Sequence, residues 1–465
     1  MITRFTFKCL AIAAGMFVSA GGLIAQDSGP LIDLLVRKGL VTDQEAEDLR
    51  AELIKDFVAN SPAGKLDIST RATKLTLAGD VRVRYQYDNE IPNNFNAAPS
   101  TGPHNDRSRY RYRFRFGPTV TLANNWLMGL RLETAGGSTS TNDDFGAAGS
   151  TNFAKDGNTA FVGQAWIEYG ANRWHGIDRV NFKLGKHGHT FFTPGINGFL
   201  IDTDINFEGL SEELAWNDIG APGATLTLRG GQYLLANNAR TTNRSGGFLN
   251  DPSVLWMGQA EWARTHLYEN NPYGTRIAPG FAIFTAPEIT GTTLNQADSA
   301  TTSNYDNLAT VFITAEHVVR FNNQPLGFYG TYGYNLKGAA RSNWLYSSSA
   351  TAQVLNTAAG NPSSYNQLFN AGVRYGAARN PGDWLATVEW RYVEPGAYTA
   401  IMLDSDFNAG RTNGSGVIGS FSYMITDAVN FTTTYFHAEN IDRNSSGSVG
   451  FHKADVLQVD LSARF

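Results

Sequence analysis

Residues 108–116 read SRYRYRFRF, with Arg109, Arg111, Arg113 and Arg115 alternating strictly with Tyr110, Tyr112, Phe114 and Phe116. In extended chain, successive side chains point to opposite faces, so one face here is all guanidinium and the other all aromatic. Such a strand needs water on one side and an apolar medium on the other. A soluble sheet over a core provides that, and so does a barrel wall between a wet lumen and lipid. An arginine turned to lipid near the midplane costs about 2–4 kcal/mol, so inverting four of them would cost on the order of 10 kcal/mol. If the chain is a barrel, these arginines face the lumen.

The rest of the sequence favours the barrel. From residue 74 onward one theme recurs: about ten residues of alternation, then turn residues. The alternation is clear over residues 81–87, 126–133, 164–169, 180–184, 384–392 and 457–465. It is noisier over 223–235, 254–267, 308–320, 326–336, 367–377, 415–424 and 429–439. Segments of about ten residues match a tilted membrane-crossing strand, and Trp and Tyr near their ends match interfacial girdles. A soluble sandwich or propeller would bury its apolar face instead of lining nearly every strand with aromatics.

Connections alternate too: short at 123–125, 322–325, 378–383 and 426–428, long and rich in Gly, Ser, Thr and Asn at 88–107, 136–159, 236–252, 337–366, 395–413 and 441–452. Outer-membrane barrels carry short periplasmic turns and long external loops in this way. Keeping that order requires two weaker strands, 205–210 and about 276–285, and Gly230–Gly231 reads as a bulge. The fold class is therefore all-β: a transmembrane antiparallel β-barrel of about 16 strands (range 14–18), preceded by a short helical segment. Unpaired edges are not viable in hydrocarbon, so the sheet closes.

Residues 1–25 carry Arg4 and Lys8, an apolar stretch and then small residues, the pattern of a cleaved signal peptide. The one cysteine, Cys9, lies within it, leaving a disulfide-free mature chain. Residues 26–58 read as a periplasmic helical segment, with a capping box from Thr42 to Glu45, and 59–72 as a linker to a barrel over 73–465. A formal charge of −5 argues against a strongly basic nucleic-acid binder.

Four stretches together sample the whole mature chain: LLVRKGLVTDQEAEDLRAEL, LTLAGDVRVRYQY, FLIDTDINFEGL, and WRYVEPGAY followed by LDSDFNAGRTNGSG. They resemble the putative porin family of bacterial outer-membrane β-barrels. The resemblance implies a passive diffusion channel in outer-membrane lipid, assembled as a homotrimer, and supplies no substrate. The final strand ends in phase on Phe465, resembling the C-terminal signal by which such barrels engage the barrel assembly machinery.

The alternation assigns Arg82, Arg84, Arg109, Arg111, Arg113, Arg115, Arg131, Lys183 and Arg391 to the pore lining, with Arg229, Arg374 and Arg464 on the same face. Glu133 and Glu389 join them, beside Glu168, Glu261 and Asp460. That wall is net cationic, densest on the first three strands, and favours anions mildly. Residues 188–204 form a candidate constriction loop with Thr193, Pro194, Asp202 and Asp204. Its acids facing the arginine ladder would set a transverse field; the alternative is that the arginines only pair with wall carboxylates around a large lumen.

Other constellations carry less. His187 and His189 share a segment, but such pairs in loops are commonly unliganded. Asp404, Asp406 and Asn408 copy the start of a calcium loop, yet Ala409 and Ser415 stand where glycine and glutamate are needed. No metal, cofactor or catalytic motif is implied, and the chain does not read as an enzyme. The leading function is passage of small hydrophilic solutes by diffusion. The alternatives are a channel specific for sugar or phosphate, and a plugged adhesin or structural barrel.

Overall fold

The computed structural model describes residues 38, 42, 44–46, 71–92, 105–134, 140–146, 160–236, 253–268, 271–285, 289–290, 302–303, 308–345, 365–441 and 451–465. The expected signal peptide, the first helix, the linker as far as residue 70 and much of the long loops lie outside them.

Two units divide the chain, residues 1–69 and 70–465. In the first, the capping box is formed. The Thr42 amide donates to Glu45 Oε2 at 2.9 Å, the Glu45 amide donates to Thr42 Oγ1 at 3.3 Å, and Gln44–Ala46 are helical.

The second unit is a closed barrel. Its first eight strands are β1 (Ala72–Pro92), β2 (Asn105–Leu122), β3 (Trp126–Thr134), β4 (Ala160–Trp174), β5 (Ile177–His187), β6 (Phe207–Asn217), β7 (Ala224–Ala236) and β8 (Ser253–Tyr268). The remaining eight are β9 (Asn271–Thr285), β10 (Ala309–Phe321), β11 (Gln324–Asn335), β12 (Gln367–Gly376), β13 (Trp384–Val393), β14 (Gly414–Met424), β15 (Val429–Asn440) and β16 (Phe451–Arg464). Each pairs antiparallel with its sequence neighbours, and β1 pairs with β16 from Asp80↔Arg464 upward, so no edge is left open. Two short additions sit outside this count: residues 143–144 pair with β2, and residues 289–290 pair with 302–303.

Side-chain alternation sets the two faces. Val81, Val83, Phe114, Leu130, Ile167, Leu184, Val388 and Leu461 are exposed on the outer wall, while the intervening arginines and carboxylates are largely covered on the inner one. Aromatic pairs stand at the short-turn ends: Trp126 on Tyr169 at 5.1 Å and Trp384 on Tyr375 at 5.6 Å. This is the girdle that a membrane interface selects. The β10–β11 hairpin turns on Asn322 and Asn323, with φ of 48° and 62°. Both central residues of such a two-residue turn need positive φ, which asparagine tolerates better than most side chains.

Three expectations change. The weak strand at 205–210 is β6, which runs on to Asn217. Its alternation is obscured by two consecutive glutamates: Glu213 faces inward to Arg229 at 3.0 Å, while Glu212 lies on the other face and accepts from Gln232 at 3.3 Å. The strand at 276–285 begins at Asn271. There is no bulge at Gly230–Gly231, because β6–β7 pairing continues unbroken from Glu212↔Gly230 to Gly209↔Tyr233. Parity holds there; Tyr233 is an inward-facing aromatic.

Candidate functional site

Two connections turn into the barrel: residues 188–206 after β5 and 394–413 after β13. The first carries the four residues expected at a constriction. The Phe192 amide donates to Gln259 of β8, and Gln259 donates back to the Phe192 carbonyl, at 2.8 and 2.9 Å. The Ile196 amide donates to Glu389 of β13 at 2.7 Å, and Asp204 faces Arg113 of β2 at 3.4 Å. The segment therefore touches widely separated parts of the inner wall.

The two connections are stitched together by Asp202 and Arg391. The Asp202 carboxylate accepts the Ser405 amide at 3.0 Å and the Asp204 amide at 2.9 Å, while its own amide donates to the Met402 carbonyl at 2.9 Å. Arg391 is 2% exposed; it pairs with Glu389 at 2.7 Å and Asp404 at 2.9 Å and donates to the Ile196 carbonyl. The rings of Phe199 and Phe407 lie 5.8 and 5.5 Å from its guanidinium. Glu389 also accepts from Tyr329 at 2.8 Å and Asn370 at 3.0 Å, so this buried carboxylate is fully bonded. Thr193 is part-buried and Pro194 buried within the same segment.

Beneath the loops lies an apolar cluster. Phe191, Phe199, Leu200 and Ile201 from the first connection, and Tyr398, Met402 and Leu403 from the second, pack on Tyr233, Leu255, Met257, Phe284 and Phe312. Those strand residues alternate with exposed Leu234, Trp256, Phe281 and Val311, so they point into the lumen. A second cluster sets Phe407 on Ile418, Phe436 and Val456. The first cluster fills the lumen along β7 to β10, and the second seats the other connection on β14 to β16.

The opposite side is ionic. Arg82 faces Arg113 and Arg84 faces Arg111 across β1–β2, juxtapositions that repel unless carboxylates intervene. They do. Asp460 of β16 grips Arg84 at 2.7 and 2.9 Å, Asp80 holds Arg113 at 3.1 Å and Arg115 at 2.6 Å, and Asp144 holds Arg111 at 2.9 Å. Asp88 lies 3.4 Å from Arg109, and Asp406 of the second connection 3.4 Å from Arg84. Farther round, Arg131 binds Glu133 at 2.7 Å, Lys183 binds Glu168 at 2.8 Å and covers Trp166 at 4.0 Å, and Arg374 binds Glu316 at 2.6 Å. Gly129 makes room there, since a Cβ would sit 2.3 Å from the Trp166 ring. Sequence reasoning passed over Asp80, Asp88, Glu213, Glu316 and Arg276. Asp80 and Asp88 were readable on the arginine face of β1 by parity alone. Glu133 and Glu389 are covered, as are Arg84 and Arg391, whereas Arg115 and Arg131 are part-exposed.

The loop acids are tuned by this setting. Burial and the neighbouring Asp204 push Asp202 up to about 6. Burial raises Asp404 despite Arg391; burial also pushes Asp406 up, but Arg84, the Gln458 amide, Arg82 and Arg111 together overcome it and lower Asp406. Asn408, the third residue of the calcium-like run, donates to the Thr412 carbonyl at 3.1 Å, a structural role. His187 is buried with Nδ1 2.9 Å from the Gly188 carbonyl, and burial pushes His189 down to about 4. No metal-competent cluster of His, Cys, Asp and Glu occurs among the described residues.

Between the ionic wall and the first connection a cavity of about 340 Å³ remains. Among the described residues that line it are Arg82, Arg84, Arg113, Arg374 and Arg464, one carboxylate, Asp460, and a run of hydroxyls from Ser420 and Ser422 to Thr432 and Thr434.

Three solved structures are similar to the chain at low identity. Pseudomonas putida OprB is 11% identical, with a TM-score of 0.47, covering 84% of this chain and 94% of its own. Salmonella typhi OmpF, in a complex with daunomycin, is 11% identical, with a TM-score of 0.44 and coverage of 86% and 99%. The outer-membrane channel DcaP of Acinetobacter baumannii is 12% identical, with a TM-score of 0.40 and coverage of 85% and 99%. No curated protein matches the chain. The family profile described as putative porin matches residues 86–314 and 329–465. With most of its length matched, the chain belongs to the putative porin family of outer-membrane channels.

Proposed function

We propose that this outer-membrane channel passes small hydrophilic solutes by diffusion, with a mild preference for anions, and that residues 188–206 form its constriction. The observation that carries the reading is the 340 Å³ cavity, whose lining sets five arginines against one aspartate. Asp204 and Asp406 on the inward connections oppose Arg113 and Arg84, which favours a transverse field at that level. Because water keeps the effective dielectric high and salt screens beyond about 8–10 Å, the bias amounts to roughly a few-fold. The working form in this reading is a homotrimer in outer-membrane lipid, delivered by a cleaved signal peptide and the barrel assembly machinery.

Reversal potential in a salt gradient across a planar bilayer tests it. The wild type is expected to reverse toward the anion potential. Arg111→Glu with Arg113→Glu should move it toward the cation potential by roughly a few-fold in permeability ratio. Reversal of the wild type toward the cation potential would sink the anion preference.

The apolar filling supports a second reading, a plugged structural or adhesive barrel, for which no conductance is expected. The sugar-channel alternative has less support, since Trp166 lies under Lys183 rather than along the cavity.

A further inference from the structure

The charges and hydroxyls of the cavity are not mixed at random; the barrel's register sorts them. Arg82 on β1 stands opposite Ser462 on β16, and Ser462 stands opposite Asn430 on β15. Arg464 is opposite Asp80, which makes it the diagonal neighbour of Arg82 across the same strand pair. Diagonal neighbours lie about 7–8 Å apart, close enough to hold one carboxylate between them.

Among the described residues neither cation has a carboxylate oxygen closer than 3.9 Å. Both oxygens of Asp460 are engaged by Arg84, and Arg82 reaches only to 3.9 Å from it, its other bond going to the neutral Asn142. Arg464 has no carboxylate partner among the described residues.

The neutral side begins one strand farther on. Thr432 lies opposite Asp460 and Ser422 opposite Thr432, their hydroxyls 2.9 Å apart. Thr434 and Ser420 repeat the arrangement one rung above at 3.1 Å. In each pair one hydroxyl donates to the other, and Asn430 also donates to the Thr432 hydroxyl at 3.1 Å, which leaves each pair one free hydroxyl donor. Thr432 lies two strands across and two residues along from Arg82, and one strand across and four residues along from Arg464, so roughly 12–14 Å separates the backbones and the long arginine side chains reach into that gap, which a six-carbon sugar acid would bridge.

We propose that this cavity is a binding site for a hydroxylated organic anion, its carboxylate held between Arg82 and Arg464 and its hydroxyls laid along the Thr432–Ser422 rung. The inference rests on the channel reading and narrows it to a substrate class. A polyol without charge meets only the rung, and an alkyl acid of equal length meets only the arginines.

The test uses the full chain reconstituted in a planar bilayer, with chloride current challenged by gluconate, hexanoate or glucose. Gluconate should depress the current at millimolar concentration. Hexanoate should require about fivefold more, and glucose should have no effect at the same concentration. Arg82→Gln should weaken the gluconate block about fivefold or more, and Thr432→Val with Ser422→Ala should abolish the difference between gluconate and hexanoate. Equal block by gluconate and hexanoate in the wild type, or a gluconate block that survives Arg82→Gln, would overturn the site. A channel without chloride current removes the diffusion reading instead. Calorimetric titration of gluconate into the detergent-solubilised chain then decides the site alone: binding weakened by Arg82→Gln upholds it, and no binding ends it.

Discussion

The two sides of the lumen solve the same problem by different means. Along β7 to β10 the inner face carries Tyr233, Leu255, Met257, Phe284 and Phe312, and two loops cover them with Phe199, Leu200 and Tyr398. Along β1, β2 and β14 to β16 the second connection covers only Ile418, Phe436 and Val456 at one level, and beside them arginines, an aspartate and hydroxyls line a cavity that stays open. Apolar inner walls drive loops inward because burying a Leu or Phe side chain is worth about 1.5–3 kcal/mol. Charged inner walls stay wet because a desolvated ion costs several kcal/mol even when paired. The filled side therefore fixes where the loops sit, and the ionic side is what they leave for solute. Arg391 belongs to both: an ion on the inner wall, yet sealed beneath the loops between two rings.

The sharpest way to break this contrast is to charge the filled side. Leu200→Asp places an unpaired carboxylate in the apolar cluster, at a cost on the order of 5 kcal/mol, which should release residues 188–206. Single-channel conductance is then expected to rise about twofold or more. An unchanged conductance would show that this segment does not limit the passage.

Next in size is the same substitution made on each side. Arg391→Met strands Glu389 and Asp404 without a cation and should cost about 3–5 kcal/mol. Arg115→Met leaves Asp80 with Arg113 and should cost about 1 kcal/mol or less. Denaturation of the detergent-solubilised barrel would compare them, and equal losses would refute the assignment of Arg391 as the pin of the loops.

The smallest effect is with pH. Asp202 sits at about 6 in the fold against an ordinary 3.8, so the folded state binds its proton more tightly. Its contribution is fully present below about pH 3.8 and is lost as pH rises through about 6; Asp404 shifts in the same direction. The difference corresponds to roughly 2–3 kcal/mol at most. Arg113, Arg84, Arg391, Asp204 and Asp406 face this cluster, and Asp406, shifted downward, does not titrate in that window. Stability measured from pH 7 down to pH 5 should rise, and Asp202→Asn should flatten that rise; a fall in stability would reverse the assignment.

Much of this was legible beforehand, and the illegible part left a trace. The strict alternation of residues 108–116 reads directly as a wall with a wet face. The noisier alternation over 223–235, 254–267 and 308–320 coincides with the strands whose inner face is apolar. There Tyr233, Met257 and Phe312 interrupt the polar-in pattern because they meet protein instead of water. Glu212 and Glu213 hid β6 in a similar way, by placing like residues on opposite faces. Asp404 and Asp406 resembled a failed calcium loop, and no local rule says that their partners are Arg391 and Arg84.

The sequence by itself determined a closed antiparallel sheet of about sixteen strands and the family, because a period of two and the solvation of each face are local properties. Only the tertiary structure decided that two loops fill one side of the lumen, and that Glu389 and Arg391 lie beneath them. It also decided that Arg82 and Arg464 line one cavity with a ladder of hydroxyls. Those outcomes depend on which side chains meet across the barrel, and that is set by register and packing between residues hundreds of positions apart.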